Sequence, residues 1–407
     1  MSREMLTGNV AAAWGARLAE VDYVPAFPIT PQTEIVEKLS EWFHNGTMKG
    51  KYVNMDSEHS MLTAAGAAAA TGARVFTATS SQGLMYGFEL LYTIAGWRAP
   101  LVLVNVSRGL QAPITLESDH NDVLAARDCG FLQIHAETCQ EVLDSILMAY
   151  HIAEDPRVLL PVIVNFDGFY VSFTREPVAV PELEAVRAFL PPYAPAHASF
   201  SASKPMAQGV AVLGGSAYSY FRYQMHLAAH NALDVHEEVA SKFHSTFGRR
   251  YGLVDGYRLD DAEHVIVMSN SFSTKGRAAV DRYREKGVRA GLLRLRVLRP
   301  FPSSAIVTAL RHRKAVAIID QNLSVGFGGI THAEVLSSLY GETVRPPVLS
   351  FIGGLGGKDI GAAEFDQIFA DMRVAAETGA VPPPRLLYTN VEEAQMEGFL
   401  SMAGKEV

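Results

Sequence analysis

An α/β fold with mostly parallel strands is the class this sequence predicts, and three observations lead there. Short runs rich in Val, Ile and Leu alternate with helix-period segments along most of the 407 residues. Hydrophobic residues make up 48% and charged residues 19%, which supplies sizeable cores and argues against wholesale disorder. The length suits two or three domains at roughly 150 residues each, and the alternation falls into two blocks separated by a proline-rich stretch.

The first block reads in order. Residues 8–18 are Ala-rich and helical, and residues 23–27 form a short strand that runs into Pro28-Ile29-Thr30-Pro31. Ile35, Val36, Leu39 and Trp42 recur at helical spacing. Strands are expected at 51–55, 74–78, 101–106, 131–136 and 158–165, with helices at 59–70, 83–96 and 140–154 between them. Such alternation implies parallel pairing and a sheet covered on both faces. Pro177, Pro181, Pro191, Pro192, Pro195 and Pro205 then punctuate a long surface linker, followed by a helix at 229–243. The second block repeats the pattern: strands at 264–269, 289–295, 315–320 and 347–352, helices at 273–286, 303–312 and 330–340. The expected boundaries are 1–175 for the first α/β domain, 176–260 for the linker and connecting segment, 261–380 for the second α/β domain and 381–407 for a C-terminal tail.

Composition narrows the function. Lys and Arg number 35 against 43 Asp and Glu, a net charge of -8, and no basic stripe offers itself to a nucleic-acid backbone. The longest apolar stretches are too short to span a bilayer, and the polar start followed by helix-like sequence is no signal peptide. A cytoplasmic protein is expected. With two cysteines, Cys129 and Cys139, a disulfide scaffold is excluded. One Fe–S cluster usually takes about four Cys ligands, so this chain alone holds none of the usual kind.

Several segments sit where an α/β protein places ligands, at the carboxyl ends of strands. Thr30 stands in a turn stiffened by two prolines; it either caps the next helix or faces a ligand. Glu58, in Asp56-Ser57-Glu58-His59, opens a helix; it either favours the helix N-terminus or exchanges a proton with a heterocycle in a cleft. Thr79-Ser80-Ser81-Gln82-Gly83 is small enough for close backbone approach, yet it is not the dinucleotide fingerprint GxGxxG. Arg108 follows a strand; it is either a surface ion pair or a two-pronged grip on a carboxylate. Asp119-His120-Asn121-Asp122 has metal-binding residue types, but adjacent loop residues rarely converge on one ion, and no metal is assigned to them. Gly353-Gly354-Leu355-Gly356-Gly357-Lys358 fails as a P-loop, with Asp359 in the Ser/Thr position and Ile352 in that of the first Gly. It reads as a tight strand-end turn.

Taken together and in order, "FPITPQTEIVEKL", "DSEHSMLTAAGAAAATGARVFTATSSQGL", "SRGLQAPI", "SDHNDVLAARDCGF", "LRLRVLRPFP", "IIDQNLSVGFGG" and "FIGGLGGKDI" resemble the α subunit of the 2-oxoacid:ferredoxin (or acceptor) oxidoreductases, the pyruvate synthase family. The resemblance covers nearly the whole chain and is weakest at 209–260. It implies a thiamine-diphosphate-enzyme pyrimidine-type domain followed by a transketolase C-terminal-like α/β domain. It also implies thiamine diphosphate shared with a β-type partner subunit that supplies Mg²⁺ and the diphosphate site, since no GDG segment followed by Asn occurs here. Fe–S clusters would lie on partner subunits, which include β and γ/δ types, coenzyme A would be the co-substrate, and ferredoxin or a flavin/NAD subunit would accept the electrons.

The resemblance assigns roles residue by residue. Glu58 matches the glutamate that contacts N1′ of the aminopyrimidine and promotes loss of the thiazolium C2 proton. Ser81 and Gln82 fall in the cofactor-binding segment. Thr30 and Arg108 match positions that hold the oxo group and carboxylate of the substrate. The implied reaction is oxidative decarboxylation with transfer of the acyl group to CoA. Thr115-Leu116-Glu117-Ser118 departs from the bulky aromatic and Asn common in pyruvate-type members, so Glu117 and Ser118 are the selectivity candidates. Pyruvate, a larger acid such as phenylglyoxylate (as in phenylglyoxylate dehydrogenase), and oxalate stay open, as does a non-catalytic scaffold subunit that has kept the fold.

Overall fold

The computed structural model describes residues 2–195, 200–207, 209 and 211–402. The chain packs as two compact units. The first comprises Met1–Asp255, Ser269–Ser271 and Leu295–Pro302; the second comprises Gly256–Met268, Phe272–Arg294 and Ser303–Val407.

The first unit is built on a five-stranded sheet in the order Val297–Arg299, Leu132–His135, Val162–Asp167, Val102–Ser107, Phe76–Thr79. Its pairings are parallel except for the antiparallel Val297–Arg299 edge. Tyr23–Ala26 and Lys51–Asn54 form a parallel pair, and a single parallel bridge from Tyr23 to Val75 brings it beside Phe76–Thr79. Every residue of Phe76–Thr79, Val102–Ser107 and Val162–Asp167 is buried, the pattern of strands covered on both faces. Parallel pairing also puts the carboxyl ends of these strands on one edge, with Asn105 opposite Asn165 and Ser107 opposite Asp167. Buried polar residues at strand ends mark the edge where loops meet.

Small residues let the helices close in. Ala11, Ala12, Gly15 and Ala16 of the helix Gly8–Leu18 are buried, and a Cβ on Gly15 would stand 2.9 Å from Ile146 Cβ in the helix Cys139–Ala153. Thr7, Ser57 and Thr138 cap their helices through their side-chain oxygens. Arg74 is buried and reaches both oxygens of Glu154 at 2.7 Å, with further bonds to the carbonyls of Ala19 and Pro191. Removing one partner of such a buried pair typically costs about 3–5 kcal/mol, because a charge is left unpaired.

Two stretches differ from the expectation. The start of the chain, read only as polar, is a strand, Ser2–Thr7, antiparallel to Arg175–Val180, and it leads into the expected helix Gly8–Leu18. That pairing and the helix Leu183–Phe189 give the proline-rich stretch more structure than its prolines suggest. Pro177 lies within the strand, opposite Met5, and Pro181 follows it, while Val178, Val180, Val186 and Phe189 are buried. Residues 215–247, expected to be helical only at 229–243, form one helix, Gly215–Phe247. Its second half buries Ala232, Val235, Val239, Ala240 and Phe243, while Tyr218, Tyr220, Phe221 and Tyr223 stay exposed.

The second unit contributes to a six-stranded sheet ordered Arg385–Leu386, Val348–Ile352, Ala315–Asp320, His264–Ser269, Ala290–Leu295, Val254–Tyr257. The first three neighbouring pairs in that order are parallel. Gly353–Lys358 forms the tight strand-end turn, with Gly354, Gly356 and Gly357 at positive φ, and Lys358 Nζ bonds Glu364 at 3.0 Å. Among the described residues, no helix is long and apolar enough to cross a membrane.

Candidate active site

Three chain segments meet at the carboxyl edge of the first unit's sheet. After Tyr23–Ala26 the chain turns through Phe27–Pro31. Thr30 does not cap a helix; the next one starts at Thr33, preceded by Gln32. Its carbonyl instead accepts a hydrogen bond from Arg108 Nη1 at 2.6 Å. After Phe76–Thr79 comes Ser80-Ser81 and a short helix, Gln82–Tyr86. Arg108 Nη2 donates to Gln82 Oε1, and Gln82 Nε2 donates to the Leu110 carbonyl at 2.9 Å. Arg108 is therefore no surface ion pair. It is 5% exposed, and of the five donors on its guanidinium its Nε is buried without a partner.

Glu58 is the first residue of the helix Glu58–Ala70 and is 6% exposed. Its carboxylate lies against Gly83: a Cβ there would stand 2.5 Å from both Glu58 Oε1 and Thr79 Oγ1. The Thr79 hydroxyl is buried without a partner. A buried carboxyl, an unpaired hydroxyl and a helix start lacking a side chain thus share one small space beside Gln82. Burial pulls the Arg108 guanidinium down, while the nearby Asp122 and Glu58 carboxylates pull it up; arginine stays cationic at any working pH.

Beside these residues lies a layer of buried polar side chains, of which the sequence assigns a site role only to Ser118. Asp122 Oδ2 accepts from Ser81 N at 3.1 Å, Arg108 N at 3.3 Å and Asn105 Nδ2 at 3.0 Å. Its Oδ1 lies 2.6 Å from Ser107 Oγ and 2.7 Å from Val123 N. Burial pushes its carboxyl up to about 6. Asp167 lies alongside, bonded by Ser118 Oγ at 2.9 Å, His120 Nε2 at 2.9 Å, Asn270 Nδ2 at 3.1 Å and Ser271 N at 2.9 Å. Burial alone would raise Asp167, but the His120 ring and these donors hold it well below the usual carboxylate range; Asp167 in turn raises His120. The quartet at 119–122 thus feeds hydrogen bonds into the strand-end loops. The sequence assigns Asp119, His120, Asn121 and Asp122 no metal and no other role, because their partners lie on loops distant in the chain.

The structure brings Thr30, Ser81, Gln82 and Arg108 together, with Glu58 joined through Gly83. It does not bring Ser118 to them: its hydroxyl points at Asp167. Glu117 is half-buried, and its carbonyl accepts from Gly109 N at 3.0 Å, directly after Arg108. A cleft of about 670 Å³ lined by Trp14, Arg17, Asp22, Lys49 and Arg187 contains none of these residues. The Glu58–Arg108 cluster is itself buried, with Glu58 and Arg108 at the carboxyl edge of the sheet.

The cluster coincides with the first of two family matches. The model described as pyruvate flavodoxin/ferredoxin oxidoreductase, thiamine diphosphate-binding, matches residues 14–241, more than half of the chain. The chain belongs to this family. Pyruvate:ferredoxin oxidoreductase core domain II matches residues 262–365, so the fold is the expected pyrimidine-type α/β domain followed by a transketolase C-terminal-like one. Family relatives include pyruvate synthase subunit PorA of Pyrococcus abyssi, 40% identical over 94% of this chain and 96% of the relative. PorA of Methanocaldococcus jannaschii is 42% identical over 88% and 91%, and ketoisovalerate oxidoreductase subunit VorA of Pyrococcus horikoshii is 38% identical over 93% and 95%. Among solved structures, 2-oxoglutarate:ferredoxin oxidoreductase from Magnetococcus marinus superposes with a TM-score of 0.69 at 17% identity. That match covers 92% of this chain but 65% of the other, and speaks for the fold alone. A split-gene transketolase superposes with a TM-score of 0.51 at 14% identity, over 93% and 98%.

Proposed function

We propose that this chain is the α subunit of a thiamine-diphosphate-dependent 2-oxoacid oxidoreductase that decarboxylates its substrate and passes the acyl group to CoA. The observation that carries the reading is the continuous cluster Thr30–Arg108–Gln82–Gly83–Glu58. It sets a buried carboxyl for proton transfer next to a cation for substrate binding.

The residues fit the pyrimidine half of the cofactor. Glu58 is buried with Thr79 Oγ1 unpaired near it, and glycine at position 83 is what lets both stand there. Thiamine diphosphate, when bound, supplies the nucleophile and the electron sink. Glu58 would hold the cofactor by exchanging a proton with the ring nitrogen N1′, and Ser81 and Gln82 would belong to the cofactor-binding segment beside it. Arg108 orients the substrate carboxylate through charge-assisted bonds from Nε and a remaining Nη proton, and Thr30 stands near the oxo group. Gln82 fixes the guanidinium from behind. A β-type chain brings Mg²⁺ and the diphosphate site, the partner chains, of β and γ/δ types, carry the Fe–S clusters, and ferredoxin or a flavin/NAD subunit takes the electrons in the cytoplasm. Pyruvate is the substrate that the names of the PorA relatives support; Glu117, next in chain to the buried Ser118, leaves a larger acid such as phenylglyoxylate in play.

Arg108→Lys keeps the charge and loses the planar fork, while Arg108→Ala loses both. In the assembled complex both lower kcat/KM for the 2-oxoacid, Ala more, by about 2–5 kcal/mol if the pair is desolvated. Cofactor affinity stays unchanged. A panel of pyruvate, 2-oxoisovalerate, 2-oxoglutarate, phenylglyoxylate and oxalate with CoA identifies the acid. Wild-type kinetics in Arg108→Ala on the best acid would refute the carboxylate assignment.

A further inference from the structure

We propose that Asp122 is a positioning residue for substrate recognition: its buried carboxylate ties the loop that carries Gln82 to the loop that carries Arg108, and so fixes where the guanidinium stands. This rests on the assignment of Arg108 to the substrate carboxylate. The two loops follow different strands, Phe76–Thr79 and Val102–Ser107, and the backbone N–H groups of Ser81 and Arg108 both donate to the same oxygen, Asp122 Oδ2. Asn105, inside the second strand, donates to that oxygen as well. The other oxygen is held by Ser107 Oγ and Val123 N.

Asp122 hydrogen-bonds the backbone and reaches the guanidinium only through its charge, while the guanidinium's hydrogen bonds run to Thr30 and Gln82. The tie matters most at Ser81, which sits at φ +46° and ψ −115°. A residue with a side chain persists in that region only where its surroundings over-determine it, at a cost of about 1–3 kcal/mol. Asp122 grips the Ser81 N–H, and the Ser81 hydroxyl donates to the Gly109 carbonyl at 2.8 Å, next to Arg108. Both restraints on Ser81 therefore come from the Arg108 side. Asn at position 122 would replace one acceptor oxygen by an NH₂ group facing donors, and it would remove the charge that strengthens the remaining bonds.

The test is a double-mutant cycle in the assembled complex, read on the best acid of the panel above. Asp122→Asn is expected to raise KM about tenfold, the loss of one or two charge-assisted bonds, with kcat altered no more than about twofold. In an Arg108→Lys background it is expected to cost less than about twofold further, because residues acting through one another are not additive. An independent packing role gives additive losses and overturns the proposal, as does an unchanged KM in Asp122→Asn. Unchanged kinetics in Arg108→Lys overturn the carboxylate assignment itself, and the proposal with it. If Asp122→Asn does not assemble, Ser107→Ala removes a single donor from the same carboxylate; a smaller KM rise that vanishes in the Arg108→Lys background supports the tie, and an additive or absent effect overturns it.

Discussion

A methyl group at position 83 would enter the space held by Glu58 Oε1 and Thr79 Oγ1, so glycine there is a condition for the proposed general acid–base group. Gly83→Ala is expected to displace the carboxylate and slow C2 proton exchange of the bound cofactor, while the short helix Gln82–Tyr86 tolerates or favours alanine. Glu58→Gln removes the titrating group outright and should slow that exchange about 10²–10⁴-fold with assembly intact. H/D exchange at C2, followed by NMR, checks both, and a wild-type rate in Glu58→Gln contradicts the role. The places of Glu58, Gln82, Arg108 and Thr30 were legible in the sequence because the first two open helices, Arg108 directly follows a strand and Thr30 lies in the turn after one. Asp122 was not, because its partners are backbone N–H groups on loops 14 and 41 residues away, which no local spacing reveals. Ser118 was singled out by its place in a motif, yet a buried hydroxyl takes the nearest strong acceptor, here Asp167.

The helix Gly215–Phe247 buries a titratable ring against Arg296. His236 Nε2 lies 3.0 Å from the Tyr251 carbonyl, and burial, with Arg296 beside it, pushes the imidazole down to about 3. In the unfolded chain the ring titrates near its ordinary value of about 6.5. The native state thus holds it neutral, its contribution is fully present above about pH 6.5, and it is lost as pH falls from there toward 3. His151, lowered to about 4 by burial, acts in the same direction. Asp122, raised to about 6, acts oppositely: the native state takes up that proton first, adding stability as pH falls below 6. His236→Gln should therefore lower Tm at pH 7.5, with the gap to wild type narrowing by pH 5. A gap that stays constant with pH would place the ring's titration elsewhere. The alternation of Val178 and Val180 that makes Arg175–Val180 a strand was open to reading, but Pro177 within it and Pro181 directly after it outweighed it. The exposed first turns of the long helix lacked an apolar stripe to announce them, so only the packed half was legible.

Across the whole molecule the strand–helix alternation forecast two α/β blocks, because period and turn residues are local signals. The pairing of Ser2–Thr7 with Arg175–Val180 escaped, since it joins residues far apart in the chain. Cys129 and Cys139 are both buried, and burial pushes the Cys129 thiol up to about 12 and Cys139 higher still, so neither offers an accessible thiolate for redox chemistry. The central claim is that the Glu58–Arg108 edge is half of an active site, completed by a partner. The direct measurement is turnover of a 2-oxoacid by this chain alone, with thiamine diphosphate, Mg²⁺, CoA and a redox dye, set against the assembled complex under the same conditions. The complex should reduce the dye and form acyl-CoA while the isolated chain does neither; turnover by the isolated chain would contradict the claim.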